Sequence, residues 1–235
     1  MGFDNLNQLH SLRKPVYFLR DKQNYLRKCH VEINFVYSST SAGQPISNTH
    51  PDLIGILDSP FSGELNAEID VLFLCMGHGN SSTFLHEHTV NDNTKIIDLS
   101  NDFRLTADRD FMGRSFVYGL TEVNINQIKS AQAIANPGCF ATAIQLALVP
   151  LAAAGKLQNE VHVNAITGST GAGAVPSATS HFSWRNNNIS YYKPFTHQHL
   201  GEIGETLAQA QGSASTLRFL PIRGNFTRGI FATAY

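Results

Sequence analysis

Short apolar runs that alternate with segments of helical length are the feature that most restricts the fold of this chain. Three such runs cover residues 32–37, 70–75 and 95–99, each bounded by Ser, Gly or Asp. Continuous apolar runs of this length are typical of buried parallel strands. Residues 81–89 and 121–130 have the length of the helices that connect such strands. The pattern predicts a doubly wound α/β nucleotide-binding domain of the Rossmann type.

The pattern changes after residue 139. A helix is predicted from there to about residue 154, because Gly155 suits the end of a helix. The following elements are predicted to be a strand at 161–166, a glycine-rich turn, a helix at 201–211, and strands at 217–222 and 229–235. We therefore expect a nucleotide-binding domain over residues 31–137 and an α+β substrate and dimerisation domain over residues 138–235.

Charge and cysteine content exclude several classes of protein. The formal net charge of the 235 residues is -1, so no basic surface for nucleic acid or a membrane is predicted. No apolar run is long enough to span a bilayer, and no signal peptide is recognisable at the N-terminus. Cys29, Cys75 and Cys139 are an odd number at unrelated spacings, without a metal-ligand pattern. These features predict a cytoplasmic protein that binds no metal.

Cys139 is the strongest candidate for chemistry. It follows Pro137 and Gly138, which suit a tight turn, and it precedes an apolar helical run. At a helix N-terminus, unpaired amides and the helix dipole favour a thiolate, which is the nucleophilic form of cysteine. The residues alone also allow a buried, inert cysteine. Cys75 has apolar neighbours and is predicted to be a packed residue of this second kind.

Two further segments carry polar groups that could serve a site. His197 and His199 stand just before a predicted helix, and histidine is suited to proton transfer near neutral pH. On spacing alone they could also be half of a metal site or two solvated loop residues. Residues 168–173 form a glycine-rich run after a strand, which could bind phosphate through its amides or be an ordinary turn.

Several separated segments of the chain match one known family in the same order. They cover residues 31–47, 70–81, 95–105, 134–150, 164–173 and 197–203. Over about residues 31–235 the chain resembles N-acetyl-gamma-glutamyl-phosphate reductase, an NADPH-dependent enzyme of arginine biosynthesis. The resemblance implies reduction of an acyl phosphate to an aldehyde through a cysteine thioester. It leaves open whether the acyl substituent is acetyl or succinyl.

The resemblance also implies roles for individual residues. Cys139 would be the nucleophile and His197 the acid/base, because the first histidine of the family's His-x-His segment pairs with the cysteine. Four residues would contact substrate: His199, Arg104, Ser169 and Arg228. Arg223 is a weaker candidate for the same role. On residues alone, Arg104 could instead form a surface ion pair with Asp102.

The cofactor implied by the resemblance is NADP. No Asp or Glu follows residues 32–37 to bind a ribose 2′-hydroxyl, and the hydroxyl-rich turn there would tolerate a 2′-phosphate. A plain loop is the alternative. The residues expected to bind the cofactor are Ser38, Ser39, Thr40, Ser41, Gly77, His78, Gly171 and Gly173. The other expected partners are a small acyl phosphate and a second copy of the chain, as in the intact family.

The ends of the chain depart from the family pattern. Residues 1–30 contain a single glycine, Gly2, and lack the family's first strand and glycine-rich turn. At the other end, residue 235 lies inside a predicted strand. These departures predict an incomplete chain that binds NADPH poorly and exposes an unpaired sheet edge. A non-catalytic fragment or association partner is therefore one alternative. An enzyme similar to aspartate-semialdehyde dehydrogenase and a Cys-His acyl hydrolase are the others.

Overall fold

The computed structural model describes residues 32–66, 68–157, 160–173 and 177–235, in which two mixed sheets are each covered by helices. The first sheet contains β1 (Val71–Leu74), β2 (Lys95–Asp98), β3 (Asp110–Phe111), β4 (Arg114–Tyr118) and β5 (Ala133–Ala135). Its helices are α1 (Ile46–Thr49), α2 (Ser81–Glu87) and α3 (Thr121–Ser130). Residues 1–31, where Cys29 and the predicted N-terminal stretch fall, lie outside the described residues.

Strand order in the first sheet is β1-β2-β5-β4-β3. The four strands β1, β2, β5 and β4 are parallel, and β3 joins as an antiparallel hairpin partner of β4. The hairpin turns at Met112 and Gly113, whose φ angles of 49° and 78° are those of a tight hairpin turn. Leu74, Ile96, Phe103 and Phe116 form the core of this half. The parallel arrangement predicted for β1 and β2 is confirmed.

The strand predicted at residues 32–37 is wrong. Residues 32–36 belong to no strand, and Tyr37 makes only an isolated bridge to Ser62. The backbone groups of this segment are satisfied locally instead, since Ser62 N–H donates to Val36 and Ser38 N–H donates to Ser62. The segment and residues 59–62 enclose a small separate core of Ile46, Leu53 and Phe61.

The second sheet has the order β7-β8-β6-β9. Its strands are β6 (Glu160–Thr167), β7 (Ser190–Tyr191), β8 (Thr216–Arg223) and β9 (Ile230–Ala234), and its helices are α4 (Cys139–Ala153), α5 (Phe182–Arg185) and α6 (His199–Gln211). The two central strands β6 and β8 are parallel, so their carboxyl ends meet at Thr167 and Arg223. Helices α4 and α6 pack together on one face, over Val163, Ala165 and Phe219.

The connection between the two halves determines where a site can form. β5 ends at Ala135, and α4 begins only four residues later at Cys139. The start of α4 therefore follows directly after the carboxyl end of a central strand of the parallel sheet, the edge at which ligands bind in such sheets. In the part of the chain that the structure describes, no helix has both the length and the apolar character needed to cross a membrane.

Candidate active site

The turn before Cys139 is held in place by its neighbours. Cys139 is the first residue of α4 and is partly buried, and no side chain caps the helix at Gly138. A side chain at residue 138 would collide with the ring of His199, so glycine is required there. The Gly138 N–H donates to Glu202 Oε2 at 3.0 Å. The thiol therefore stands at a fixed helix N-terminus, where the dipole favours a negative charge.

His197 and His199 stand beside this turn. Their rings are 4.5 Å apart between centroids, and only 4% and 5% of the two residues is exposed. His199 N–H donates to His197 Nδ1 at 3.2 Å, so the neutral His197 ring carries its proton on Nε2. The His197 ring also contacts the rings of Phe140 and Tyr192 at 5.5 and 5.6 Å. These contacts fix the orientation of the imidazole.

Burial keeps both histidines neutral. Desolvation, followed by the charges of Lys193 and Arg223, lowers the pKa of His197 to about 4. Desolvation also lowers the pKa of His199 to about 2. Glu202 Oε1 lies 3.9 Å from His199 Nε2, but the same oxygen accepts from Arg104 at 2.9 Å and so does little to offset the burial. Both rings are therefore neutral imidazoles near pH 7, each with one N–H that can donate a hydrogen bond.

The depressed pKa values predict acid instability. The unfolded chain binds a proton at each histidine near pH 6.5, whereas the folded chain does not until the pH is far lower. The free energy of unfolding should therefore fall as the pH drops from 6.5 to 4, by at most about 1.4 kcal/mol per pH unit for each ring. Urea unfolding at several pH values would measure this. A double Asn variant of His197 and His199 should show a shallower slope over the same window, and an unchanged slope would contradict the prediction.

A buried network around Glu202 joins the two halves of the molecule. Glu202 accepts from Arg104 at 2.9 Å, from Tyr118 Oη at 2.6 Å and from the Gly138 amide. Gln145 of α4 donates to the Glu202 carbonyl at 3.0 Å. Burial and the Glu202 charge raise the pKa of Tyr118, so Tyr118 remains a hydrogen-bond donor. Sequence reasoning missed Glu202; its only signal was its position one turn beyond the two histidines.

Arg104, which is predicted to contact substrate, donates hydrogen bonds to three protein groups. Besides Glu202, it donates to the carbonyl oxygens of Asn136 at 2.8 Å and Leu99 at 3.2 Å. The alternative, a surface ion pair with Asp102, is wrong, because Arg104 is buried and pairs with Glu202, whereas Asp102 accepts from the amides of Gly79, Ser81 and Ser82. Arg104 is buried, and a buried guanidinium needs a carboxylate close by. Arg104 therefore helps to hold the turn before Cys139, and its contact with substrate remains a prediction.

The other part of the segment 98–105 anchors the start of α2. Asp98 is fully buried and accepts from Ser81 Oγ at 2.6 Å and Ser100 Oγ at 2.7 Å. Burial raises the pKa of Asp98, and the bonds from the two serines oppose that shift. Asp102 caps the first amides of α2, as described above. This segment therefore fixes the loop that contains Gly77 and His78.

The glycine-rich segment after β6 forms a short 3-10 helix, Ser169–Ala172. Ser169 Oγ donates to the Gly224 carbonyl at 2.9 Å, and the Gly171 and Gly173 amides donate within the turn. A side chain at Gly168 would meet the backbone of Thr227 and Arg228. The segment is therefore bound to residues 224–229, and substrate roles for Ser169, Arg228, Gly171 and Gly173 remain predictions.

The residues predicted to hold the cofactor form two loops. Ser38 is buried and accepts from the Ser41 amide at 3.2 Å, whereas Ser39 and Thr40 are exposed. In the other loop, Gly77 has a φ of 81°, and His78 Nδ1 accepts from the Asn101 amide at 3.1 Å. Burial is the main cause that lowers the pKa of His78, so it too is neutral near pH 7. A turn of exposed serine and threonine residues and a loop whose conformation depends on glycine are suited to binding a phosphorylated nucleotide.

Cys75 is confirmed as a packed residue. It is 4% exposed, and burial followed by the Asp98 charge raises the pKa of its thiol well above the usual range. Such a thiol is not a nucleophile near neutral pH. Among the described residues, no three His, Cys, Asp or Glu side chains are grouped as metal ligands.

These features define a class of protein that joins a nucleotide-binding domain to a domain whose first helix begins at a cysteine. Two family models match the chain. Residues 24–131 match the NAD binding domain of semialdehyde dehydrogenase, and residues 139–235 match the dimerisation domain of semialdehyde dehydrogenase. The chain belongs to the semialdehyde dehydrogenase family. The predicted fold class is thereby confirmed.

Within this family the chain is similar to N-acetyl-gamma-glutamyl-phosphate reductases. It is 60% identical over 206 residues to the reductase of Flavobacterium johnsoniae, and 54% and 55% identical over the same length to those of Christiangramia forsetii and Parabacteroides distasonis. The matches cover 87% of this chain and 63% of each relative. The chain therefore spans somewhat less than two thirds of the length of these relatives.

Solved structures support the fold. Aspartate semialdehyde dehydrogenase II from Vibrio cholerae superposes with a TM-score of 0.60 at 15% identity, covering 92% of this chain and 69% of that one. Aspartate semialdehyde dehydrogenase with NADP from Candida albicans has the same score and identity, with 90% and 66% covered. At this level of identity the likeness establishes the architecture and nothing about the substrate.

Proposed function

We propose that this chain reduces N-acetyl-gamma-glutamyl phosphate to N-acetylglutamate semialdehyde and releases phosphate, as a cytoplasmic step of arginine biosynthesis. The observation that carries the proposal is the position of Cys139 at the start of α4, beside two buried neutral histidines. The names of the relatives supply the substrate. A homo-oligomer is supported by the match to a dimerisation domain. It is also supported by two large exposed side chains at the β9 edge of the second sheet, Phe231 and Tyr235.

The first half of the reaction is acyl transfer to sulfur. The Cys139 thiolate attacks the acyl carbon, a C–S bond forms, and the bond from that carbon to the phosphate oxygen breaks. Phosphate leaves with the bonding electron pair and a thioester remains. The fixed turn at Gly138 keeps the sulfur at the helix N-terminus during this step.

The second half is reduction of the thioester. When bound, NADPH would supply the hydride that adds to the thioester carbon. The Nε2–H of His197 can stabilise the oxygen anion that develops there, because its Nδ1 is already occupied by the His199 amide. The carbonyl then re-forms, the C–S bond breaks and the thiolate returns, with no net proton consumed on the carbonyl.

The residues fit a dinucleotide with a 2′-phosphate. Ser39 and Thr40 are exposed residues that carry hydroxyls, and no carboxylate occurs in the turn from residue 38 to residue 43. The loop containing Gly77 and His78 is anchored to Asn101, next to Asp102 and the network around Arg104. It can therefore lie beside the reacting groups. Binding of NADPH, followed by its fluorescence, tests this fit independently of turnover.

Substitutions of His197 and His199 should affect different kinetic constants. His197→Asn is expected to lower kcat on the order of 10²-fold or more, because it removes a positioned proton donor. His199→Asn is expected to act mainly on KM. Steady-state kinetics of both variants measure this. The reverse pattern would give the acid/base role to His199, whose Nε2 packs against Gly138.

The reverse reaction tests the proposed function. N-acetylglutamate semialdehyde, phosphate and NADP should yield NADPH, whereas aspartate semialdehyde in the same assay should yield little. Equal or better use of aspartate semialdehyde would favour the alternative related enzyme. NADPH binding without turnover of either aldehyde would favour a non-catalytic partner, and NADP-independent thioester hydrolysis would favour an acyl hydrolase.

A further inference from the structure

Arg223 lies at the carboxyl edge of the second sheet, beside the candidate site. It is the last residue of β8 and is in register with Thr167, the last residue of β6. On the other side it is opposite Ser190 of β7. The parallel pair thus brings Arg223 next to the glycine-rich segment that follows Thr167.

The ring of Tyr192 contacts both the Arg223 side chain and the His197 ring. Its guanidinium carbon lies 4.4 Å from the centre of the Tyr192 ring, a cation–π contact. The Tyr192 ring in turn makes an edge contact with His197 at 5.6 Å. The Arg223 charge also contributes to the lowered pKa of His197, which agrees with this closeness.

Arg185 binds the backbone of Arg223. Arg185 is only 5% exposed, and its guanidinium donates to the Arg223 carbonyl at 2.6 Å and to Ser190 Oγ at 2.9 Å. The Nε atoms of both arginines are buried and have no hydrogen-bond partner. Two guanidinium groups are therefore gathered at one end of β8.

Within the described ranges, no carboxylate pairs with either of these arginines. The other buried arginine of the site, Arg104, has Glu202 at 2.9 Å. Arg218, on the same strand as Arg223, has Glu160 at 2.9 Å although it is much more exposed. Partly buried cations gathered without a counter-ion are unfavourable, and an anionic ligand would offset that cost.

We infer that Arg223 binds an oxyanion of the substrate, with Arg185 as the residue that positions it. The ligand class is a carboxylate or phosphoryl group, since a guanidinium binds either through paired N–H donors. This inference rests on the proposed function, whose substrate carries both groups. It assigns recognition of one of them to the end of β8.

The reverse reaction separates the two sources of the oxyanion, because the semialdehyde carries the carboxylate and phosphate is a separate molecule. Arg223→Gln should raise the KM of one of them by about 10- to 100-fold, the scale of a hydrogen bond to a charged group. Arg223→Lys should restore part of the loss, since it keeps the charge but not the planar fork. Arg218→Gln on the same strand is the matched control. The inference is overturned if neither KM rises beyond that of the control.

A binding measurement keeps the inference testable even if the wild type does not turn over. Inorganic phosphate and N-acetylglutamate are each added while iodoacetamide alkylates Cys139. At least one should slow alkylation of the wild type and of Arg218→Gln, and should lose that effect in Arg223→Gln. Thermal unfolding shows whether each variant is folded. If Arg223→Gln fails to fold, Arg223→Lys is used in its place. Equal protection in the wild type and both Arg223 variants, or protection in none, would overturn the inference.

Discussion

Replacing Cys139 by Ser is expected to abolish formation of NADPH in the reverse assay, with a loss of roughly 10⁴- to 10⁶-fold, the scale on which removal of a covalent nucleophile acts. A serine hydroxyl at a helix start is not ionised near neutral pH, so the dipole that favours a thiolate does not activate it. The substitution changes one atom of a partly buried side chain and should leave the fold intact. NADPH binding should therefore stay at the level of the wild type while turnover is lost.

Alkylation gives the same test without substrate. Iodoacetamide should label Cys139 of the native protein near neutral pH and should leave Cys75 unlabelled, because that thiol is buried and its pKa is raised. Cys75→Ala is the matched control, and its activity should stay close to that of the wild type. Mass spectrometry of the labelled peptides measures both rates. Equal labelling of Cys75 and Cys139, with activity retained in Cys139→Ser, would disprove the assignment.

Elements with a strong local signal could be predicted from the sequence. The helix from Cys139 and the strand Glu160–Thr167 agree with their predictions within two residues, because apolar periodicity and Gly155 mark them. Ala133–Ala135 was missed because three residues, two of them alanine, carry little β-propensity. Its place at the centre of the sheet depends on its two neighbouring strands, which no local pattern shows.

The run at residues 32–37 shows the opposite error. Its composition favours a strand, but its backbone pairs with residue 62 through tertiary contacts. A local pattern cannot tell a sheet strand from an extended segment that closes a small core. The family resemblance did not correct this, because it named the segment and not its hydrogen-bond partners.

Site residues were predictable only where the chemistry lies on one segment. Cys139 and the two histidines have local signatures. The partners of Arg104 do not, since Glu202 is 98 residues away along the chain. That no carboxylate of the described residues pairs with Arg223 is visible only in the three-dimensional structure. Contacts between distant segments therefore place Arg104 in the buried network around Glu202, which no local pattern of the sequence reveals.

Glu202→Ala is expected to lower the free energy of unfolding by about 3–5 kcal/mol, the cost of leaving a buried charge without its partner. Arg104 would lose its carboxylate, and Tyr118 and the Gly138 amide would each lose an acceptor. Because the Gly138 turn sets the position of Cys139, alkylation of Cys139 should also change in rate. Urea unfolding and thiol labelling of the same variant measure the two effects.

Glu205→Ala is the matched control, one turn closer to the middle of α6. Glu205 is only partly buried and, among the described residues, accepts from Thr106, at 3.0 Å from its amide and 2.9 Å from its hydroxyl, so its loss should cost about 1–2 kcal/mol. A double-mutant cycle with Arg104→Ala should give a coupling energy of about 1–3 kcal/mol, as residues of one network do. Equal destabilisation by the two Glu variants, with no coupling to Arg104, would mean that this buried network does not join the halves of the molecule. A coupled loss with unchanged alkylation of Cys139 would restrict its role to stability.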